Sequence, residues 1–359
     1  MMHRITLTLV SAAAIALAGC QFSSMDQNGD VLASTSDALI LAAREQFKAL
    51  PGSPGEVAGI KAIPELVALG NMLYSDPRLS ASHTIACAAC HSMGLGGADA
   101  RSTSLGHRWQ NGGRNAPTVL NAVYNTAQFW DGRAKDLTEQ AGGPVSNPVE
   151  MAMPADQVIP TLKSIPGYAE HFAKAFPGDK DPIRMANVQA AIATYEATLV
   201  TPNAPFDRFL KGDAQALGQS ERRGLKSFMD NGCAACHSGA NMGGAMYAKF
   251  GVASPPPADL LPPGDLGRFA VTNDEADRYA YKVPTLRNIA LTAPYFHTGK
   301  VWNLDEAVTI MAKTQLGKAL PQQDVSDIVA FLRSLTGDQP KTIVPVLPQT
   351  TGTTSRPVD

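Results

Sequence analysis

Apolar residues recur at helical spacing in two segments, and each segment is followed by a short cysteine motif. In residues 64–74 the apolar side chains share one face, and Asp76-Pro77 then favours the end of a helix. Residues 220–229 repeat the arrangement, with Ser220 as the candidate N-cap. No alternating run in the sequence is long enough to predict a sheet. The pattern therefore predicts a mainly α-helical protein.

Two further amphipathic stretches indicate where domains end. Residues 183–199 and 322–336 each place apolar side chains on one helical face. A proline-containing linker between the domains follows the first of these stretches. We therefore expect a first domain at residues 37–204 and a second domain at residues 205–338. Residues 339–359 are rich in proline and threonine, which predicts a flexible tail.

The first twenty residues predict export. Arg4 precedes an apolar run over residues 5–18, which is shorter than the ~20 residues that a membrane-spanning helix needs but typical of a secretory signal. The ending Leu-Ala-Gly-Cys20 resembles a bacterial lipobox, which implies a lipoprotein signal peptide at 1–19 and a lipid on Cys20. Residues 20–36 would then tether the protein to the outer membrane, in the periplasm. The alternative is a plain signal peptide.

The composition and net charge of the chain indicate which kinds of molecule it is expected to bind. The chain has 359 residues, of which 44% are hydrophobic and 17% charged, so it is long enough for two globular domains. Its formal net charge is −2. Because such a chain has no basic field, we expect no nucleic-acid partner.

The remaining four cysteines form two identical pentapeptides. Each has the sequence Cys-Ala-Ala-Cys-His, and the motif residues are Cys87, Cys90, His91, Cys233, Cys236 and His237. Disulfide loops would not require the histidines, and paired zinc knuckles lie ~15–20 residues apart, much closer than these two motifs. A c-type haem requires both thiols and the histidine that follows them. The sequence therefore predicts two covalently bound haem c groups, with His91 and His237 as iron ligands.

The second axial position of the first iron has one main candidate. His107 lies in a loop that contains glycine and follows the first motif, so it is placed to reach over that haem. The alternative is a histidine on a surface loop. His83 and His171 have no second feature that points to a ligand, and we expect both to be structural.

For the second iron, Met311 is the preferred distal ligand because it lies just before the last helix of the second domain. A methionine opposite histidine raises the reduction potential and suits electron transfer. Met242 and Met246 are nearer alternatives in the sequence. Met311 also fits an apolar helical face, so core packing is the other interpretation.

Nearly all of residues 37–338 resembles the bacterial dihaem cytochrome c peroxidases. The fold that this implies has two cytochrome c-like haem domains in one chain. The resemblance rests on six motifs, which are SLGHRWQ (104–110), GRNAPT (113–118), FWDGR (129–133), PVEM (148–151), GRFAVTN (267–273) and LRNIALTAPYFH (286–297).

The resemblance implies roles for residues around the first haem. It makes the first haem peroxidatic and the second an electron-transfer haem. His107 then resembles the ligand that blocks the first iron in the resting enzyme and leaves when the second haem is reduced. Glu150 matches the catalytic carboxylate, Gln140 lies beside it in the peroxide pocket, and Trp130 matches the aromatic residue between the haems.

The resemblance also implies roles for residues around the second haem. Met311 matches its distal ligand, and His297 matches a residue close to the haem edge. Asn115, Thr292 and Pro294 match an inter-domain calcium site, the last two through backbone carbonyl groups. A hard cation of this kind prefers oxygen ligands.

Proton-transfer chemistry gives an independent reason for a glutamate at position 150. Heterolytic cleavage of peroxide requires a proton to move between its two oxygens, and one carboxylate can accept and then donate it. Glu150 carries the only charge in residues 146–154, so partial desolvation would raise its pKa. The alternatives are a solvated loop acid for Glu150, core packing for Trp130 and a turn residue for Asn115.

The predicted activity is reduction of hydrogen peroxide by electrons from a small cytochrome c or a cupredoxin, in what we expect to be a homodimer. A dihaem electron carrier without peroxidase activity and a haem-based sensor are alternatives. A third alternative is the related dihaem class that matures a tryptophan-derived quinone on a partner protein. That class has tyrosine where this chain has Met311, so the methionine favours the peroxidase.

Overall fold

The computed structural model describes residues 38–358, and these are mainly helical, as predicted. The predicted signal peptide at 1–19, the tether at 20–36 and residues 37 and 359 lie outside the described residues. Helix α1 covers residues 38–46. The helices that follow up to residue 196 are α2 (Pro64–Ser75), α3 (Cys87–Cys90), α4 (Leu137–Ser146), α5 (Ala155–Lys163), α6 (Gly167–Ala175) and α7 (Met185–Glu196).

The second half of the chain repeats this helical character. Its helices are α8 (Pro205–Leu210), α9 (Gln219–Asp230), α10 (Phe269–Thr272), α11 (Leu304–Leu316) and α12 (Gln322–Arg333). Short antiparallel strands form two pairs, β1 (Glu56–Val57) with β2 (Ile60–Lys61) and β3 (Tyr247–Lys249) with β4 (Ala280–Lys282). No helix within residues 38–358 has the length and apolar character that crossing a membrane requires.

The ends of the helices follow local sequence signals. Helix α2 begins at Pro64 and stops before Asp76, whose side chain accepts a hydrogen bond from the Arg78 amide that opens the next turn. Asn303 caps α11, and Gly317 ends it with a φ of 64°, a conformation that glycine adopts without a Cβ clash. The N-cap of α9 is Gly218 and not the predicted Ser220, which lies inside the helix.

The same helix crossing occurs in both domains. Helix α2 packs on α7 in the first domain, and α9 packs on α12 in the second. A glycine lies at each crossing: a Cβ on Gly70 would overlap the Ala191 carbonyl, and one on Gly224 would overlap the Asp327 carbonyl. The helices predicted before each cysteine motif are therefore the ones that build the two cores.

The first helix belongs to the second core, which differs from the predicted boundary at residue 37. Ile40, Ala43 and Phe47 are buried among the side chains that α8, α9 and α12 contribute. Phe47 contacts Phe206 with ring centroids 5.5 Å apart. The first core contains no residue before position 60 among those described. The boundary differs because α1 buries its apolar face against the aromatic residues of the second domain.

The tail also differs from its prediction as a flexible segment. Residues 339–358 run from the end of the second domain across the first domain. Arg78 Nη1 donates to the Pro348 carbonyl at 2.8 Å, and the Val358 amide donates to the Ala81 carbonyl at 2.8 Å. Hydrogen bonds to main-chain groups of the tail hold this segment on the first domain, although its composition is typical of disorder.

Candidate functional site with two haem cavities

Each cysteine motif lines its own cavity. A cavity of about 350 Å³ is bordered by Cys87, Cys90 and His91, and we call it the first cavity. A cavity of about 250 Å³ is bordered by the second motif, Cys233, Cys236 and His237, and we call it the second cavity. The four motif cysteines form no disulfide bonds, and burial raises their pKa values. Two unpaired thiols at the wall of one cavity are what covalent attachment of a c-type haem requires.

The motif histidines are oriented as iron ligands. His91 Nδ1 lies 3.2 Å from the Gly97 carbonyl, and His237 Nδ1 lies 3.2 Å from the Met242 carbonyl. Because a carbonyl only accepts, each Nδ1 carries the hydrogen and each Nε2 keeps its lone pair for a metal. Burial lowers the pKa of both rings, that of His237 to about 4, which keeps them neutral. The residues of both cavities therefore fit a covalently bound haem.

Trp130 and Asn115 lie between the two cavities, since both residues line both of them. Trp130 Nε1 donates to the Asn115 carbonyl at 2.9 Å. The Asn115 amide donates to the carbonyl of His297 at 2.7 Å. This chain of contacts links the wall of the first cavity to that of the second.

Glu150 and Gln140 line the first cavity together. Gln140 lies on α4, and Glu150 follows the end of that helix. The Asn147 side-chain amide donates to Glu150 Oε1 at 2.7 Å, so Oε2 is the carboxylate oxygen left to exchange a proton. Burial raises the pKa of Glu150, and the positive charge of Arg133 and the bond from Asn147 oppose that effect. A carboxyl group in this environment exchanges protons nearer neutral pH than an exposed one.

The His107 loop is fastened to Glu150 through the main chain. The His107 amide donates to the Glu150 carbonyl at 2.7 Å. Gly106 lines the first cavity, whereas His107 is not among its lining residues. Arg108 and Trp109 follow with φ values of 54° and 62°, in the left-handed region that side chains disfavour. The role of His107 as a distal ligand stays a prediction.

Met311 lines the second cavity on the face of α11 that also presents Ala307 and Val308. The rival methionines do not line it: the Met242 side chain is fully buried elsewhere, and Met246 is 40% exposed. Of the three methionines considered as ligands, Met311 alone is placed to reach a haem in this cavity.

His297 lines the second cavity in a stacked position. Its ring lies 4.2 Å from the Tyr281 ring centroid, and Nε2 is 3.8 Å from Asp265 Oδ2. Burial lowers the pKa of His297 to about 4. The ring is therefore neutral near pH 7 and contributes packing at the cavity wall.

The three predicted calcium ligands border the same cavity. Asn115, Thr292 and Pro294 all line the second cavity. The Asn115 side-chain nitrogen donates to the Arg101 carbonyl at 2.8 Å, which leaves the amide oxygen for a cation. Residues 38–358 contain no cluster of three or more His, Cys, Asp or Glu side chains that could hold a metal ion. A calcium site here would depend on amide and carbonyl oxygens, and it stays a prediction.

Several charged residues at the site were not found from the sequence. Glu196 lines the first cavity although it is 4% exposed, and burial raises its pKa to about 8. Arg114 lines the same cavity and joins the domains by pairing with Asp131 at 2.8 Å and Asp265 at 2.6 Å. Lys282 lines the second cavity. Arg114 lies inside a recognised motif, but nothing in the local sequence of Glu196 or Lys282 signals that the charge is buried.

Comparison with known proteins identifies the family. The model of the di-haem cytochrome c peroxidase family matches residues 64–215, and a cytochrome c model matches residues 221–336. The cytochrome c551 peroxidase of Pseudomonas aeruginosa is 53% identical over 324 residues, which cover 90% of this chain and 94% of that protein. The cytochrome c551 peroxidase of Nitrosomonas europaea is 48% identical over 292 residues, covering 81% and 86%.

A solved structure has the same overall architecture. A MauG-like protein associated with microbial copper homeostasis superimposes with a TM-score of 0.72 at 26% identity, covering 81% of this chain and 94% of that one. The high identity to curated peroxidases extends over both haem cavities. The chain therefore belongs to the di-haem cytochrome c peroxidase family.

Proposed function

We propose that this protein reduces hydrogen peroxide to water in the first cavity, with electrons that enter through the second. The observation that carries the proposal is the placement of Glu150 and Gln140 on the wall of the cavity that Cys87, Cys90 and His91 also line. An acid with a raised pKa thus faces the place where a haem would bind peroxide. A haem held there supplies the redox chemistry that breaks the O–O bond.

Proton transfer is the part of the reaction that the chain itself performs. Glu150 Oε2 would accept a proton from one oxygen of the peroxide and return it to the other oxygen, which leaves as water. Asn147 holds Oε1 through its side-chain amide, so the carboxylate keeps one orientation during the exchange. The Gln140 amide orients the peroxide. Two electrons and two further protons complete the conversion of one peroxide to two water molecules.

The second cavity and the residues between the cavities serve electron transfer in this proposal. His237 and Met311 would hold the second iron from its two sides, a ligand pair that raises the reduction potential. Trp130 is an aromatic residue that lines both cavities, which suits it to electron transfer between them. The electron donor would be a small cytochrome c or a cupredoxin. The methionine at position 311 also favours a peroxidase over the quinone-maturing class.

His107 would control access to the first iron. In the resting protein His107 would be a ligand of that iron, and its release would open the iron to peroxide once the second haem is reduced. The left-handed conformations at Arg108 and Trp109 support a loop with more than one arrangement, because such conformations are strained for residues with side chains. Gly106 borders the cavity, so a small movement of the loop brings His107 to its wall.

The proposal extends to location and assembly. The signal sequence and the lipobox ending at Cys20 support a periplasmic protein anchored by lipid to the outer membrane. The shared placement of Asn115, Thr292 and Pro294 supports a calcium ion between the domains. The family resemblance supports a homodimer.

The substitution Glu150→Gln tests the proposal. It removes the proton acceptor but keeps the size and hydrogen-bonding capacity of the side chain. We expect the rate of peroxide reduction by the half-reduced protein to fall by about 10²–10⁴-fold, the usual contribution of general acid–base catalysis. Stopped-flow absorbance measures the rate, and the haem spectrum of the resting protein checks that both haems are retained.

Glu170→Gln is the matched control, because Glu170 is an exposed glutamate on α6 of the same domain. It should react as fast as the unsubstituted protein. An unchanged rate in Glu150→Gln would remove Glu150 from the proton transfer.

A further inference from the structure

Lys282 is a buried lysine whose ammonium group has no partner. It lies on β4, is 6% exposed and lines the second cavity. Its main-chain amide donates to the Trp130 carbonyl at 2.7 Å. Its side chain forms no hydrogen bond or ion pair with any of residues 38–358. Burial lowers the pKa of Lys282 to about 8, which reflects the cost of an unpaired charge at this position.

No other fully charged side chain among residues 38–358 lines the second cavity. Among the residues of the described chain that line it, Lys282 is the single member of the Lys, Arg, Asp and Glu group. The first cavity, in contrast, is lined by Arg114, Arg133, Asp131 and Glu150 as well as Glu196. A lone buried cation costs several kcal/mol unless an anion is brought to it. An occupant of the second cavity that carries a negative charge would offset this cost.

The position of Lys282 suits the carboxylate edge of a haem. In the porphyrin, the two carboxylate groups project from the opposite edge to the groups that cysteines attack. Cys233 and Cys236 would fix one edge of the haem in the second cavity. The main-chain amide of Lys282 donates to the carbonyl of Trp130, and Trp130 lines both cavities, so Lys282 lies on the side of the second cavity next to the first.

We propose that Lys282 binds a haem carboxylate in the second cavity through an ion pair and raises the reduction potential of that haem. The ammonium offsets the negative charge of the carboxylate, which otherwise favours the oxidised, more positive iron. The low dielectric around a buried pair makes this effect large. The inference rests on the presence of the second haem that the proposed function assumes, but not on peroxide turnover. A failure of the ion pair can therefore be distinguished from a failure of the proposed function.

Redox potentiometry on the protein loaded with both haems tests the proposal. The variants are Lys282→Met, which keeps length but removes charge, and Lys282→Arg, which keeps the charge. We expect Lys282→Met to change the reduction equilibrium of the second haem at least tenfold toward the oxidised form, a fall in potential of about 59 mV for one electron. Lys282→Arg should stay close to the unsubstituted protein, and the first haem should shift less than the second.

Lys249→Met is the matched control. Lys249 lies on β3, the strand paired with β4, but it is exposed and does not line the cavity. Its loss removes the same charge from the same sheet, so it should leave the potential nearly unchanged. Equal shifts in Lys249→Met and Lys282→Met would overturn the proposal, as would an unchanged potential in Lys282→Met.

A failure of Lys282→Met to retain the second haem is also informative. The ion pair then predicts that Lys282→Arg retains this haem, because the charge and not the shape is required. Loss of the haem from both variants would contradict the proposal. The absorbance band of ferric haem ligated by methionine, measured in each variant, separates a change at the carboxylate from a change at Met311.

Discussion

At the scale of single residues, Arg133 adjusts the pKa of Glu150, the acid proposed to transfer the proton. Its positive charge lowers the pKa of Glu150, against the larger effect of burial. The guanidinium also bonds to Asp131 at 3.1 Å and stacks over the Phe129 ring at 3.5 Å from the centroid. These contacts hold the charge in place beside the pocket.

Replacing that charge should move the pH profile of the enzyme. In Arg133→Gln, the pKa of Glu150 rises further because one of the two opposing effects is gone. Glu150 must be ionised to accept a proton, so the acid limb of kcat/KM for peroxide moves to higher pH while the plateau above it is retained. Steady-state rates across the pH range measure the limb.

Arg184→Gln is the control, because Arg184 is exposed in the same domain and pairs with Asp179. Its profile should match that of the unsubstituted protein. A limb that stays in place or moves to lower pH in Arg133→Gln would show that Glu150 is not the titrating base.

Residues that belong to a motif were predictable, and buried charges outside the motifs were not. The cysteine motifs, Glu150 and Trp130 carry sequence signals, and each of them lines a cavity. Glu196 follows Tyr195 on a helix that is buried on most sides, so periodicity does not distinguish it from a solvated acid. Lys282 lies in a strand of three residues, too short for a pattern. Burial of a charge depends on tertiary packing that a local window does not contain.

At the scale of elements, each domain depends on one close helix crossing. Gly70 of α2 lies against the main chain of α7, and Gly224 of α9 lies against the main chain of α12. Main chain cannot move aside as a flexible side chain can. The crossing glycines therefore set the distance between the helices that build each core.

Alanine at either crossing should destabilise its own domain. Gly224→Ala and Gly70→Ala each force the helices apart, at a cost of about 1–3 kcal/mol typical of overpacking. Denaturant unfolding of the haem-loaded protein, followed by the absorbance of each haem, measures the loss.

Gly143→Ala is the control within a helix, since a Cβ there meets the Phe129 ring at ordinary contact distance. It should not destabilise the protein. Equal stability of Gly224→Ala and the unsubstituted protein would contradict the tight crossing.

The long amphipathic helices were the elements that the sequence predicted best. Helices α7 and α12 lie within the predicted stretches 183–199 and 322–336. The one-turn 3₁₀ segments that join the helices were not predicted, because three residues give no periodicity. Helix α1 shows no sign in its own sequence of which domain it will pack against.

At the scale of the whole molecule, each end of the described chain packs against the domain that is farther from it in the sequence. Helix α1 packs into the second core, and the tail returns from the second domain to the first. Asn71 Nδ2 on α2 donates to the Ile343 carbonyl at 2.8 Å, and Arg78 bonds to the Pro348 carbonyl. The sequence predicted the two domains but not this exchange, because tail composition does not report main-chain hydrogen bonds.

Removal of residues 340–359 should weaken the first domain more than the second. Without the tail, Arg78 loses its bond to Pro348, and the Ala81 carbonyl loses its donor. We expect faster hydrogen exchange in α2 and in residues 77–81, with α9 and α12 unchanged. Mass spectrometry of exchange measures both regions in one experiment.

Val346→Ser controls for changes in tail sequence, because that side chain is 88% exposed. Its exchange should match that of the unsubstituted protein. Uniform exchange after truncation would show that the tail does not support the first domain.

The two cavities differ in the side chains that line them, and the central claim is that this difference makes the two haems unequal. Glu150 and Gln140 border the first cavity, whereas Met311 borders the second. Electron paramagnetic resonance and visible absorbance, recorded after reduction by one electron per protein, test it most directly. The account predicts that the second haem is reduced and stays low-spin while the ferric first haem becomes high-spin and binds added ligand. Two haems that stay low-spin and closed at every redox level would contradict it.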